Sequence, residues 1–361
     1  MRMLICTQKL DKNDPVLGFF HEWVQVLASQ CSTVIVLCLE KGEYTLPSNV
    51  EVYSLGKEKG NSRIMRVARF YYLTWEYRAE YDVVFVHMNQ IYVLLGAWLW
   101  RICGKKIGLW YAHGVVTLSL KIAVRWVDAC FTPTEKSLRI ATPKRHIVRH
   151  GVPVHENLSV NTGSLQSSSR LSIISVGRVS PVKNFEVIIE AVAILRDKGI
   201  DSALTIVGGV ASIEQSKYLY TLQNLVRERS LENHVFFVGE KNNNEIVALC
   251  AGMDVFVNAS MTGSLDKVML EAMSASVVVL SCNSNLRDIL AFDASLHAEH
   301  FIFGCHDAQQ LATQLEWFLN LSPNERFSMQ KKVRHIVEEQ YSLPALIERI
   351  IQVYKTMFYE K

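Results

Sequence analysis

The chain lacks most of the short signatures that settle a protein's chemistry at a glance. None of its eight cysteines falls in a CxxC pair, and several sit in apolar, strand-like runs. Buried, reduced thiols in a cytoplasmic protein are therefore expected. There is no Asp-x-Asp pair, and histidine and cysteine are scattered without ligand spacing, so no resident metal is expected. The absence of a GxGxxG run lowers a nicotinamide dehydrogenase reading. No apolar stretch approaches the roughly 20 residues that a spanning helix needs. The longest, Ile91 to Trp100, stops at Arg101. The apolar start, Met1 to Cys6, is too short for a signal peptide and runs into polar Gln8 to Asp14.

What is present is a globular composition. The 361 residues are 49% hydrophobic and 20% charged, which suggests two domains of roughly 150 residues each. Net charge is +3, unevenly spread. Residues 1–150 carry 20 Lys and Arg against 12 Asp and Glu, or +8, and residues 151–361 carry 18 against 23, or −5. A basic first half suits an anionic surface, whether membrane, nucleic acid or an anionic acceptor.

Short apolar runs alternate with helical patterns. In the first half the strands are expected at Met3 to Cys6, Thr33 to Leu39, Val50 to Ser54, Val83 to His87, Lys106 to Tyr111, Ala129 to Thr132 and His146 to Arg149. Helical spacing separates several of them, as in Gly18 to Ser29 and Arg63 to Tyr77. Residues 156–170 are polar, Ser/Asn-rich and aperiodic, which reads as a linker. A second series of strands begins at Leu171. The pattern predicts two doubly wound α/β domains, 1–155 and 171–340, with a ligand cleft at the carboxyl ends of the sheets. A closing amphipathic helix falls within 341–361.

Two segments carry chemistry. Asp254 to Ser281, DVFVNASMTGSLDKVMLEAMSASVVVLS, reads as strand, small-residue turn, helix and strand. Such a turn presents free N–H groups and a positive dipole end, which suits a phosphate. Glu271 lies in that helix among apolar neighbours, and a carboxylate so placed calls for a partner such as ribose hydroxyls. The second segment, SVGRVSPVKNF, sets Arg178 and Lys183 in a strand-to-helix loop. Two cations there suit a diphosphate and its developing charge as a leaving group.

These segments resemble the retaining GT-B glycosyltransferases of family four. Gly177-Arg178-x-x-Pro181-x-Lys183-Asn184 is similar to that family's GRxxxxKG. Ala203 to Gly209 resembles its LxIVGxG strand, and Val235 to Gly239 followed by Asn244-Glu245-Ile246 resembles VxFLG…EL. Ala251 to Ser260 resembles AADVFVLPS, Leu270-Glu271-Ala272-Met273 matches LEAM, and Val148 to Val152 resembles xxNGV. The resemblance covers about 145–290 well and the first half more loosely. It implies a GT-B fold, two Rossmann-like domains facing across a cleft. The first would bind the acceptor and the second a nucleotide diphosphate sugar, with the closing helix packed back on the first.

Residue by residue, the resemblance implies that Arg178 and Lys183 hold the donor diphosphate and Glu271 the ribose. Amides near Ser264 and Leu265 would cap the phosphates, and the base would lie near Gly239, Glu240 and Lys241. Gly18 and Gly177 would allow close approach to the donor. His113, after the strand ending WYA, would stand near the reacting sugar. His87 and Asn89 would meet the acceptor. The donor is a substrate, so no cofactor is implied.

One departure stands out. The family's acidic motif has a first glutamate eight positions before the second, and Gly263 stands there instead. Asp266 and Lys267 are the charged neighbours able to take its place, although Asp266 also reads as a plain first-turn acid. The departure keeps a non-catalytic binding subunit open as an alternative, beside a GT-B nucleotide-sugar epimerase. Finally, Lys57, Lys59, Arg63, Arg66 and Arg69 interleave with apolar and aromatic residues, and Tyr92, Trp98 and Trp100 precede Arg101. That mixture suits either a solvated basic helix beside a core helix rich in aromatics, or an anionic membrane surface. The expected setting is cytoplasmic, with peripheral contact at the inner face of the cell membrane.

Overall fold

The computed structural model describes residues 1–14, 16–154, 170–262 and 265–359. The chain divides into two units, Met1–Gly151 with Leu343–Lys361, and Val152–Ser342. Most of the expected linker, 156–169, lies outside the described residues.

The first unit runs β1 (Arg2–Leu10), α1 (Phe19–Gln30), β2 (Thr33–Lys41), β3 (Val50–Ser54), α2 (Arg63–Glu76), β4 (Val83–His87), α3 (Ile91–Ile102), β5 (Lys106–Trp110), α4 (Leu118–Trp126), β6 (Ala129–Thr132) and β7 (Arg145–Ile147). All seven strands pair in parallel in the order β3-β2-β1-β4-β5-β6-β7. Their central members are built on apolar runs, because helices cover both faces of such a sheet. β4, Val-Val-Phe-Val-His, is wholly buried. Right-handed crossovers put α1 on one face and α2, α3 and α4 on the other. The closing helix, Leu343–Tyr359, covers the α1 face, and its buried Tyr354 donates Oη–H to the Val84 carbonyl at 2.7 Å.

Two expectations change. β1 continues past Cys6 to Leu10 in register with β2, pairing Lys9 with Glu40. Its polar end is stable as strand because Lys9 is neutralised by Asp14 at 2.8 Å and Glu40 at 3.3 Å. Tyr92 and Trp100, for which the sequence left an interface and a core helix equally open, are core residues at 3% and 0% exposure, so the interface alternative falls away for them.

The second unit runs β8 (Leu171–Val176), α5 (Phe185–Asp197), β9 (Ser202–Val207), α6 (Ile213–Glu228), β10 (Val235–Phe237), α7 (Asn243–Ala251), β11 (Val255–Asn258), α8 (Lys267–Ser274), β12 (Val278–Ser281), α9 (Asn285–Leu290), α10 (Ala308–Asn320) and α11 (Pro323–Gln340). Its parallel sheet has the order β10-β9-β8-β11-β12. The order reverses between β8 and β11, so their following loops leave the sheet side by side at its carboxyl edge. Sheets of this winding hold ligands at such a point. α8 buries Met269, Leu270, Ala272 and Met273 against the sheet and α11. All eight cysteines are free. Among the described residues, no helix is long and apolar enough to cross a membrane.

Candidate functional site

The carboxyl edge of the second sheet is built on glycines. Gly208 donates its N–H to the Gly239 carbonyl at 2.9 Å, and Gly177 donates to Val207 at 2.9 Å. A Cβ on Gly208 would overlap the Gly177 carbonyl oxygen, so only glycine lets the two loops approach. Gly239 takes φ +74°, a left-handed conformation that glycine adopts without strain.

Lys183 ends a single 3₁₀ turn, Pro181–Lys183, before α5. Asn184 follows in the left-handed region at φ 53°, and its amide donates to the Cys305 carbonyl. The stem of Lys183 folds over Gly177, where an added Cβ would come within 2.8 Å of its Cε. Its ammonium thereby reaches the loop after β11. There it lies 2.8 Å from Asp266 Oδ2, and the Asn258 amide donates to the same oxygen at 2.9 Å. Both charged side chains are mostly shielded, at 17% and 16% exposure. Arg178 is exposed on the same loop as Lys183.

Asp266 occupies the N-cap of α8, yet its side chain makes no cap bond to that helix. Asp at this position ordinarily accepts from an N–H of the first turn. Here that oxygen is turned to Lys183 and Asn258 instead. One residue on, Lys267 opens the helix, and Glu271 follows one turn later on the same side. Both are half-buried. Burial raises the Glu271 carboxyl, and the charge of Lys267 opposes that rise. Burial lowers the Lys267 ammonium, and Glu271 opposes that fall. A desolvated carboxylate of this kind is suited to accept hydroxyl hydrogens.

The remaining expected donor residues are less concentrated. Glu240 is exposed, and Lys241 is paired with Glu245 at 3.0 Å. Leu265 packs against the core of the second unit. Gly263 and Ser264 lie outside the described residues.

In the first unit, Gly18 is packed against its own loop. A Cβ there would lie 2.6 Å from the Asp14 carbonyl oxygen. That loop is tied by Asp14, which accepts from the N–H groups of Val16 and Leu17. The Lys9 ammonium beside it lowers the Asp14 carboxyl to about 2. His87 ends β4 at the point where this sheet reverses. Its ring is buried, stacked on Phe20 at 3.8 Å, with Nδ1 3.3 Å from Thr7 Oγ1. Met88 then takes φ 62°, an uncommon conformation for a residue with a Cβ. Half-buried Asn89 accepts from the Ile91 N–H at 3.2 Å. His113 is exposed three residues beyond β5.

The structure thus brings together Gly177, Lys183 and Asp266, with Arg178 on the same loop and Glu271 one helical turn further. It adds Asn258 and Gly208, which were not singled out as site residues. Both fall at the ends of apolar strands inside the family-like segments Ala251 to Ser260 and Ala203 to Gly209.

The sequence profile of the glycosyl transferases group 1 matches residues 164–336. The chain is 28% identical over 179 residues to a putative colanic acid biosynthesis glycosyltransferase, WcaL, of Escherichia coli, covering 48% of this chain and 42% of that protein. It is 27% identical over 181 residues to a D-inositol 3-phosphate glycosyltransferase of Corynebacterium aurimucosum, covering 50% and 41%. The aligned part therefore spans under half the length of these curated relatives. The fold matches HepE of Anabaena, solved in complex with UDP, with TM-score 0.70 at 17% identity over 99% of this chain and 100% of that one. It also matches sucrose-phosphate synthase of Thermosynechococcus elongatus, with TM-score 0.70 at 16% identity over 100% of both chains. The chain thus has the GT-B fold, and its residues 164–336 are similar to the glycosyl transferases group 1.

Proposed function

We propose that the chain is a glycosyltransferase that moves a sugar from a nucleotide diphosphate sugar to an acceptor hydroxyl, with retention at the anomeric carbon, in polysaccharide or glycolipid assembly. The observation that carries this reading is the meeting of Lys183, Asp266 and Asn258 where the second sheet reverses, with Glu271 one turn beyond. A diphosphate suits Lys183, Arg178 and the first N–H groups of α8. Ribose hydroxyls suit Glu271. The names of the relatives and the UDP bound to HepE agree with a nucleotide donor.

As the bond from the anomeric carbon to the diphosphate oxygen breaks, negative charge grows on that oxygen. Fixed cations there stabilise the transition state more than the ground state. The acceptor oxygen bonds to the same face of the carbon, and its proton passes to the departing phosphate oxygen. Asp266 is our candidate to accept a hydroxyl of the donor sugar in place of the absent glutamate. In the first unit, Asn89 and His113 are the accessible candidates toward the acceptor, and buried His87 supports the loop that carries Asn89. Peripheral work at the inner face of the cell membrane is part of the same proposal.

A thermal-shift panel of UDP, GDP, ADP, dTDP and CMP on the wild type and Glu271→Ala tests the donor site. Stabilisation by one diphosphate, lost in the variant, supports the reading and names the base. Binding without hydrolysis or transfer of any matching sugar donor would move the assignment to a binding subunit.

A further inference from the structure

The helices of a doubly wound unit usually turn a polar side to water. The layer formed by α2, α3 and α4 turns out large apolar side chains among its cations. Trp75, Trp98 and Trp126, one on each helix, are 51%, 47% and 42% exposed. They share one face of the first sheet, since all three helices pack their other side into the same core. Tyr71 of α2 joins the layer by donating Oη–H to Leu95 of α3 at 2.9 Å, with its ring 6.0 Å from that of Trp98.

Aliphatic side chains extend the surface. Ile64 of α2 is 81% exposed, and Ile102 of α3 and Leu118 of α4 are each 74% exposed. On α3, Ile91, Trp98 and Ile102 fall within one narrow stripe at helical spacing, opposite buried Val93 and Trp100. By contrast, α1 on the opposite face carries no exposed large apolar side chain. Six cations stand on the three helices, Arg63, Arg66, Arg69, Arg101, Lys121 and Arg125, against a single acid, Glu76. The Arg101 guanidinium lies over the Trp126 ring at 5.6 Å, and that of Arg78 over Trp75 at 4.1 Å.

We propose that the outer face of α2, α3 and α4 docks on an anionic lipid surface. Exposed apolar area of this extent marks an interaction site. Its charge selects an anionic partner. Indole rings under guanidinium groups suit the boundary between acyl chains and headgroups. Nucleic acid would use the cations but would leave Ile64, Ile102 and Leu118 without a role. The helices would lie on the bilayer rather than cross it.

The test uses the full chain and sedimentation with vesicles of phosphatidylglycerol mixed with phosphatidylcholine, and of phosphatidylcholine alone. Binding to the anionic vesicles alone, weakened by salt, is expected. Trp75→Ser/Trp98→Ser/Trp126→Ser should lower the partition coefficient by roughly tenfold or more. Should that variant melt early, Ile102→Asp serves instead, on a side chain that is 74% exposed. Nucleotide binding in the same samples reports the second unit separately, so failure of the donor reading and of this one are distinguishable. Equal binding to neutral vesicles, no binding to anionic ones, or no loss in a folded variant overturns the proposal. Self-association without lipid that the variants abolish also overturns it, by showing a second copy to be the occupant.

Discussion

The Lys183 ammonium is held 2.8 Å from Asp266, the very residue that stands at the N-cap of α8 without capping it. A carboxylate there repels an incoming diphosphate, and it leaves the helix end with no side-chain cap from its own Asp. Both penalties are explained when the acid meets a neutral, hydroxyl-rich group instead.

Asp266→Ala should therefore separate the two parts of the donor. Freed from its counter-ion, Lys183 should bind nucleoside diphosphate roughly threefold to tenfold tighter. The nucleotide sugar should lose that advantage, because its sugar forfeits a charged hydrogen-bond acceptor. Calorimetry with the two ligands reads the difference. An equal loss for both would make Asp266 a structural residue only. In contrast, Lys183→Ala should lower turnover more than donor affinity, since its charge meets the leaving group.

Glu271 should make nucleotide binding sensitive to acid. Burial raises its carboxyl above the ordinary glutamate value, so it takes up a proton at a higher pH than an exposed glutamate does. Ribose hydroxyls gain a charged acceptor only while Glu271 is ionised. Affinity is then full above the raised pKa and falls as pH drops through it. Lys267→Met removes the charge that opposes the rise and should move this fall to higher pH, whereas Lys267→Arg should leave it in place. Cys250 of α7 also lies within electrostatic reach of Glu271 but stays neutral, its thiol raised by burial to about 12. Glu271→Ala should weaken binding by roughly 1.5–3 kcal/mol at neutral pH. Affinity that stays flat as pH falls to the ordinary glutamate range, in the wild type, Lys267→Met and Lys267→Arg alike, would remove Glu271 from the ribose site.

These relationships were unevenly legible in the sequence. β8 begins at Leu171, where the second series of strands is expected, because strands covered on both faces read as unbroken apolar runs. Glu271 was legible from its apolar flanks. The Lys183–Asp266 pair was not, since the two residues are 83 positions apart and meet only through the strand order. Trp98 and Trp100 are two positions apart and read alike in sequence. On a helix they point to nearly opposite sides, so one is exposed and the other is core. His87 is an acceptor candidate by sequence, whereas its burial against Phe20, on a different element, follows only from the fold.

Gly208→Ala should damage the donor edge. The new methyl would press on the Gly177 carbonyl, and backbone cannot swing aside as a side chain does. Overpacking of this kind costs roughly 1–3 kcal/mol. The loop that carries Arg178 and Lys183 would be displaced with Gly177. A lower melting temperature together with weaker nucleotide binding is expected. Gly199→Ala is the control, since it has φ +78° but open space around its Cβ and lies away from the site. It should lower stability and leave binding intact.

The closing helix offers a double-mutant cycle. A Cβ on Gly108 of β5 would overlap the Tyr354 hydroxyl, which donates to Val84 on the neighbouring strand. The Phe131 ring, with Cε2 2.5 Å from the same position, is the second obstacle. Tyr354→Phe alone loses one buried hydrogen bond, about 0.5–1.5 kcal/mol. Gly108→Ala alone should cost more, because it must push the tyrosine off its carbonyl. In the Tyr354→Phe background the added methyl has that oxygen's room, so its penalty should shrink. Denaturant titration of the four proteins gives the coupling. A coupling of at least about 0.5 kcal/mol, in the sense that the double variant is more stable than the sum predicts, is expected. Simple additivity would assign the obstruction to Phe131 and leave Tyr354 as a hydrogen-bond donor alone.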